Sequence, residues 1–570
     1  MPRPLFAALS YAVLGLLGLL VAPRAQAQAP AWQTAIPVAL SQHNGNSLVE
    51  ATAVDAAGNV YLAGTFSGVI TLGSTTLVSQ DAHDIFLTRW DPAAARFTWA
   101  VRAGGEGSDF VSSLVVAERR LYVVGTISGP ADFGDTDLTS AGGVDGFVAK
   151  LTDEGRFIWA KPAGGSGFDT VYGLAVAGGS VYIAGNTVGE VSLDGLRLTS
   201  STREGDGYVA KLSDAGPTAR FAWAQSIRSS SSAAIQRINA LALHGSNVYV
   251  TGRFSGTAQF GASRLTSPTS ETDVFVAKLT DSGSTGSFVW AHQLGGDRAD
   301  YATALAVRGT NVYLAGNVDF EPFTSSNINL IGGGRSKVFV AKLTDAGPSG
   351  QLVWVQQAAR ACEGQYVALA VAGPNLYLTG AFSGRIAFGG NALEGAGGTR
   401  SDDVFVAKLT DAGSTGGFTW AQQISGPDTE VAGALALSGA SVYVGGGFGL
   451  TARFGSQTIT SPGFQRSGFL ASLTDATLTP TTGAQPERAL RLYPNPARGS
   501  TTVELPAGPG AATASLTLLD ALGRPVRTRA VAVPTAGLRH ELSLAGLPAG
   551  FYVLHVTTGG TRTTRRLVVE

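Results

Sequence analysis

A Val or Leu followed by Tyr, two further residues and Gly occurs seven times in this chain. The tyrosines are Tyr61, Tyr122, Tyr182, Tyr249, Tyr313, Tyr377 and Tyr443, spaced 60 to 67 residues apart. A second word of the type Phe-Val-Ala-Lys-Leu-Thr-Asp recurs with its aromatic at Phe86, Phe147, Tyr208, Phe275, Phe339, Phe405 and Phe469. A third is a Trp, at Trp99, Trp159, Trp223, Trp290, Trp354 and Trp420; the seventh, Trp32, precedes the first unit instead of following the last. A module repeated at this period cannot bury its apolar face alone and must stack on its neighbours.

Each unit reads as four short strands: Leu305 to Val307, Val312 to Gly316, Val338 to Leu343 and a strand around Trp354, with a loop of about twenty residues between the second and third. Four strands per repeat is the cue for a β-propeller blade. The last unit lacks a following Trp strand, and the strand around Trp32 supplies it. The sequence therefore predicts an all-β chain, with a seven-bladed β-propeller over 28–476 closed by the N-terminal strand. Composition agrees: 76 of 570 residues are Gly and 14% are charged, against a usual ~25%. The net charge of −1 offers no basic excess for nucleic acid. Cys362 has no partner for a disulfide. The aromatics, repeated in every unit, read as core. The recurrent Lys150, Lys211, Lys278, Lys342 and Lys408 read as lying on the polar side of the third strand, their stems covering apolar surface.

The two ends differ from the middle. Arg3, the apolar run Leu5 to Val21 and Ala25-Gln26-Ala27 form a signal peptide over 1–27, which directs export by the general secretory route. No later run is long and apolar enough to span a membrane, so none is expected in the mature chain. Residues 477–487, rich in Thr, Pro and Gly, read as a linker. Residues 488–570 carry ten Arg, no Lys and four acidic residues, and their short alternating strands predict a small Ig-like β-sandwich.

Two resemblances follow from these words. Val54-Asp55-Ala56-Ala57-Gly58-Asn59-Val60-Tyr61-Leu62-Ala63-Gly64 and the pairs Gly104-Gly105, Gly164-Gly165 and Gly295-Gly296 resemble the bacterial SBBP β-propeller repeat. Units four and six depart from it at Ser229 to Ser232 and Ala358 to Glu363. That family implies a fold and no common activity. In the C-terminal stretch, Leu492-Tyr493-Pro494-Asn495-Pro496, Asp520-Ala521-Leu522-Gly523-Arg524, Leu547-Pro548-Ala549-Gly550-Phe551-Tyr552 and the end Arg565-Arg566-Leu567-Val568-Val569 resemble a type A C-terminal sorting domain of the type IX secretion system. The resemblance makes Tyr493, Pro494, Asn495, Pro496, Gly523, Arg524, Gly550 and Tyr552 sorting-motif residues. It implies passage through the periplasm, recognition by the outer-membrane translocon, and release or surface attachment.

The chain holds no phosphate loop, no H-E-x-x-H, no C-x-x-C and no G-x-S-x-G, and no catalytic residue is marked. Its six His residues are scattered. The recurrent polar feature is acidic. Asp109, Asp169, Asp300 and Glu430 precede the first strand of their units, and Asp84, Asp145, Asp206, Asp273 and Asp403 precede the third. Both sets fall on loops leaving one face. They read either as turn residues or, for Asp109, Asp169 and Asp300, as carboxylates around the propeller mouth that would hold Ca²⁺; no other cofactor is indicated. The expected function is a non-enzymatic, exported cell-surface or secreted scaffold binding an extracellular glycan or protein. The alternative is a polysaccharide-acting hydrolase or lyase with its site in the funnel, for which the breaks at Asp319-Phe320-Glu321-Pro322 and at Lys337 are the indications.

Overall fold

The computed structural model describes residues 29–42, 45–229, 231–318, 323–325, 328–330, 337–358, 367–397, 401–462, 465–478, 491–506, 513–520, 524–534, 537–558 and 561–570. The proposed signal peptide, Asp319 to Pro322, Cys362, Gly523 and most of the proposed linker lie outside them. The described residues contain strands, turns and no helix. The chain divides into two compact units, Met1–Leu478 and Thr479–Glu570.

In the first unit the recurring words fold into successive four-stranded antiparallel sheets, ordered first-second-third-fourth as in Asp300–Arg308, Asn311–Val318, Lys337–Asp345 and Gly350–Gln357. The first strands, Ser47–Val54, Phe110–Ala117, Thr170–Ala177, Gln236–His244, Asp300–Arg308, Ala368–Ala372 and Val431–Ser438, pack each against the next, and the last of them against the first. The seventh sheet takes its fourth strand from the other end of the unit: Trp32–Val38 pairs antiparallel with Ser467–Thr474, Trp32 opposite Leu473 and Pro37 opposite Phe469. Trp32 is buried and meets Phe454 edge to face at 5.5 Å.

The segment read as a loop between second and third strands is largely a β-hairpin, as in Pro130–Phe133 with Thr136–Thr139. Its apolar residues alternate, so Ala131, Phe133 and Leu138 enter the core while the residues between them stay outside it. Ala131 and Asp132 also pair with Gly105 and Gly104 of the preceding sheet. Thr477 and Leu478, at the start of the stretch read as a linker, belong to this unit: Thr477 bonds to Asp475 and Leu478 is buried in its core.

The second unit has two sheets. Arg491–Tyr493, Ser500–Pro506 and Gly537–Ser543 form one; Pro525–Ala532, Thr513–Leu519, Gly550–Thr558 and Thr561–Val569 form the other in that order. Val503, Leu538 and Leu542 of the first sheet and Leu516, Leu518, Tyr552, Leu554 and Leu567 of the second share one core.

Candidate functional site

The recurrent lysines correct the reading made from their alternation. Each is buried, and each reaches a turn of the following repeat. Lys278 Nζ lies 2.7 Å from Asp345 Oδ2, which also accepts from Tyr249 Oη at 2.6 Å; Asp345 Oδ1 accepts from Trp290 Nε1 at 3.2 Å and Gly347 N at 2.9 Å. The same clasp joins Lys150, Tyr122 and Trp159 to Asp214, and Lys211, Tyr182 and Trp223 to Asp281. It recurs with Lys342, Tyr313 and Trp354 on Asp411 and with Lys408, Tyr377 and Trp420 on Asp475. Burial alone would raise these carboxyls, but the donors outweigh it and hold Asp281 and Asp475 down at about 2. The tyrosines are pushed up by burial and by the carboxylate beside each. Two junctions lack the clasp. Arg89 replaces Lys in the first repeat, where Trp99 Nε1 donates to the Asp153 carbonyl. Ser472 replaces it in the last, where Trp32 Nε1 finds no hydrogen-bond partner among the described residues.

The acidic sets meet in pairs across repeats. Asp109 Oδ2 accepts from Gly105 N at 2.8 Å and its Oδ1 from Ser128 N at 3.2 Å. Asp169 does the same with Gly165 N at 2.7 Å and Val188 N at 2.9 Å, and Asp300 accepts from Gly296 N at 2.9 Å. All three are fully buried. Asp84, Asp145 and Asp206 cap the loops before them through Gln80 N, Ala141 N and Ser201 N. Gly104 separates the members of one pair: a Cβ there would lie 2.7 Å from Asp109 Oδ2 and 3.1 Å from Asp84 Oδ1. This explains the first glycine of the Gly-Gly loop. Burial raises Asp109 and Asp169 to about 6 against their backbone bonds, and Asp84 and Asp145 add repulsion. Asp109, Asp169 and Asp300 thus sit apart, in three different repeats, each spent on backbone amides. Among the described residues no group of three or more His, Cys, Asp or Glu side chains is arranged to hold a metal ion.

Glu430 breaks the pattern. One methylene longer than Asp, it is fully buried, and neither carboxyl oxygen has a hydrogen-bond partner among the described residues. Burial first, and Asp403 second, push it up to about 9.

The sequence reading missed a polar series on the first strands. Six of them carry a β-bulge at one level, marked by register shifts at Val49/Ala51, Val124/Gly125, Val171/Gly173, Ile238/Ala240, Ala302/Ala304 and Ala432/Ala434. The extra residues are Glu50, Ser112, Tyr172, Asn239, Thr303 and Gly433. Bulges re-aim side chains and concentrate at barrel rims and beside active sites. Asn239 Nδ2 donates to the Ala302 carbonyl at 2.7 Å and Thr303 Oγ1 to the Val367 carbonyl at 2.8 Å, so these residues span from one first strand to the next. Glu50 keeps partial solvent contact; burial pushes its carboxyl up to about 7 although Thr65 donates to it. The signal in the sequence was variability: the preceding position is Val, Ile or Ala and the following one Ala, Gly or Ser, while this one differs each time.

In the second unit the sorting words lie together. Asn495 Oδ1 accepts from Val568 N at 2.9 Å, and Ala497 N donates to the Val568 carbonyl at 2.9 Å. Pro494 O accepts from Thr501 Oγ1 at 2.9 Å. Arg524 pairs with Asp520 at 2.9 Å, and the buried Tyr552 donates its hydroxyl to the Pro548 carbonyl at 2.9 Å. The Pro496 ring is exposed, and Gly550 opens the strand opposite Val569.

The chain is 25% identical over 263 residues to the regulatory protein FlaEY of Caulobacter vibrioides, 43% of this chain and 27% of that protein, so it spans about a quarter of that curated relative. Among solved structures it is similar to the haemagglutinin-neuraminidase of parainfluenza virus 5, with a TM-score of 0.32, 10% identity and coverage of 78% of this chain and 95% of that one. It is likewise similar to Trypanosoma rangeli sialidase, with a TM-score of 0.32, 10% identity and coverage of 84% and 86%. Residues 491–570 match the family model of the secretion system C-terminal sorting domain, and this segment is a type IX sorting tail.

Proposed function

We propose that this chain is an exported, non-enzymatic binding scaffold: a seven-bladed β-propeller of SBBP type, closed by its N-terminal strand, followed by an Ig-like sorting unit. It enters the periplasm by the general secretory route and reaches the cell surface or the medium through the type IX system. The sorting-tail match over 491–570 supports the address. The observation that carries the binding reading is the bulge series Glu50, Ser112, Tyr172, Asn239 and Thr303, which sets hydroxyl, amide and carboxyl groups at one level of the first strands. Such a lining suits a hydroxylated glycan or a polar protein segment.

The competing reading, a polysaccharide hydrolase or lyase, has one group in its favour. Glu50, raised to about 7, is poised for proton transfer near neutral pH. Glycoside hydrolysis ordinarily needs a second carboxylate ~5–9.5 Å away, and the bulge series supplies none. The test is a glycan array with the purified full-length chain, run beside a reducing-sugar assay on every glycan that binds. Binding that is weakened by Tyr172→Ala or Asn239→Ala, without turnover, supports the scaffold. Turnover abolished by Glu50→Gln replaces it with the enzyme.

A further inference from the structure

The sorting unit exposes an apolar face that its own core does not use. Along Gly550–Thr558 the side chains alternate: Tyr552, Leu554 and Val556 are buried between the sheets, while Phe551 points to the other side and is 55% exposed. Phe551 stands opposite Val568, and Val553 opposite Leu519. Val568, Val553 and Leu519 are each half-buried on that same outer side, whereas Leu567, Val569 and Leu518 alternate into the core. Val526, 39% exposed, belongs to the neighbouring strand Pro525–Ala532. Large apolar side chains gathered on one exposed face mark an interaction surface.

Two words of the sorting motif converge on this face although they are far apart in sequence. The backbone of Val568, partner of Phe551, is gripped on its other side by the Tyr-Pro-Asn-Pro loop through Asn495 and Ala497. Tyr493 of that loop is itself 38% exposed. The buried Tyr552 is accounted for by packing and by its bond to Pro548. Phe551, its immediate neighbour in the same word, points outward instead and is 55% exposed. The unit as a whole is basic: residues 488–570 hold ten Arg and four acidic residues.

We propose that the outer face formed by Phe551, Val553, Val568 and Leu519 is the surface on which the type IX secretion machinery docks, through an apolar socket with an acidic rim. This rests on the delivery reading above. An exposed aromatic anchor on a net-basic unit fits the usual hot-spot pattern, in which truncating the anchor costs 2 kcal/mol or more, about thirtyfold in affinity.

The test uses the full chain in a host that carries the secretion system, with surface, medium and periplasmic fractions quantified. Phe551→Ser and, separately, the strand-compatible pair Val553→Thr with Val568→Thr are compared with the edge-strand control Thr528→Ala and with deletion of 488–570. Protease resistance of the retained protein reports folding. The expected result is at least a tenfold drop in exported protein for both outer-face variants, with protease resistance unchanged, and wild-type export for Thr528→Ala. Wild-type export of a folded outer-face variant, while the deletion is trapped, overturns the docking surface and leaves the address intact. Wild-type export of the deletion overturns both. If Phe551→Ser is protease-sensitive, the Val553/Val568 pair decides. If the face instead joins two copies of the chain, Phe551→Ser abolishes a dimer in sedimentation without reducing export, and the proposal fails.

Discussion

Replacing Asp345 by Ala should unfold the first unit far more readily than replacing Asp153, although both residues close the same kind of turn. Asp345 takes hydrogen bonds from Lys278, Tyr249, Trp290 and Gly347, and the Lys278 and Asp345 side chains are 6% and 7% exposed. Without the carboxylate, the Lys278 ammonium keeps one partner, the Gly347 carbonyl at 3.0 Å, and the Tyr249 hydroxyl and Trp290 indole N–H lose theirs. Removing one member of a buried ion pair costs about 3–5 kcal/mol. The turn lies near the surface, so water can reach part of the gap and hold the loss to that range. Lys278→Met leaves the carboxylate three donors and should cost less, about 1–2 kcal/mol. Asp153 instead faces Arg119, whose side chain is 80% exposed, and Trp99 bonds to its backbone carbonyl. Asp153→Ala should therefore cost under about 1 kcal/mol. Urea unfolding of the full-length chain, followed by Trp fluorescence, measures all three. If Asp345→Ala falls within 1 kcal/mol of Asp153→Ala, the clasps do not hold neighbouring repeats together.

Trp32→Ala should lower the first unit's stability by about 3–5 kcal/mol, because it empties a buried site against Phe454 on the closing strand; an unmoved melting midpoint would exclude that role. Glu430 has a folded value raised from 4.5 to about 9, so its contribution is complete below about 4.5 and is lost as pH climbs toward 9. Melting midpoints should fall across that window, Glu430→Gln should flatten the slope, and Glu430→Asp should raise the midpoint by restoring the backbone cap that Asp109 makes. Asp281 and Asp475, depressed from 3.8 to about 2, confer stability present above 3.8 and lost as pH drops through 2. Acid titration of Asp281→Asn should accordingly converge with wild type below pH 2 and diverge above 4.

The aromatic core was legible because repetition separates packing from chemistry: Tyr249, Phe275 and Trp290 recur in every unit and are buried. Trp32 was legible as the missing outer strand for the same reason. The lysines were misread because alternation shows which side of a strand a residue takes, not what the next repeat brings to that side. The partner of Lys278 is Asp345, 67 residues on. The acidic residues were visible as two series, but their meeting in pairs depends on how the sheets are set side by side. Glu50 was missed because a bulge is a property of pairing register, and single-strand periodicity does not record it. In the sorting unit the words were specific, yet the opposite fates of Phe551 and Tyr552 emerge only once the core is assigned.

Closure through Trp32–Val38 also fixes the order in which this molecule can be completed. Arg466 N and Asn46 bond across 420 residues of chain, and the seam beside them cannot form until Ser467–Thr474 has emerged. Until then the assembled repeats are an open arc with two bare sheet edges, the type of surface that recruits stray strands. Contacts of such sequence separation form slowly. The longest-lived vulnerable state of a folding chain therefore lies at the seam, which is also one of the two junctions lacking a Lys–Asp clasp. A holdase that protects this chain before closure would find its target there, and crosslinking from Trp32 during folding would catch it.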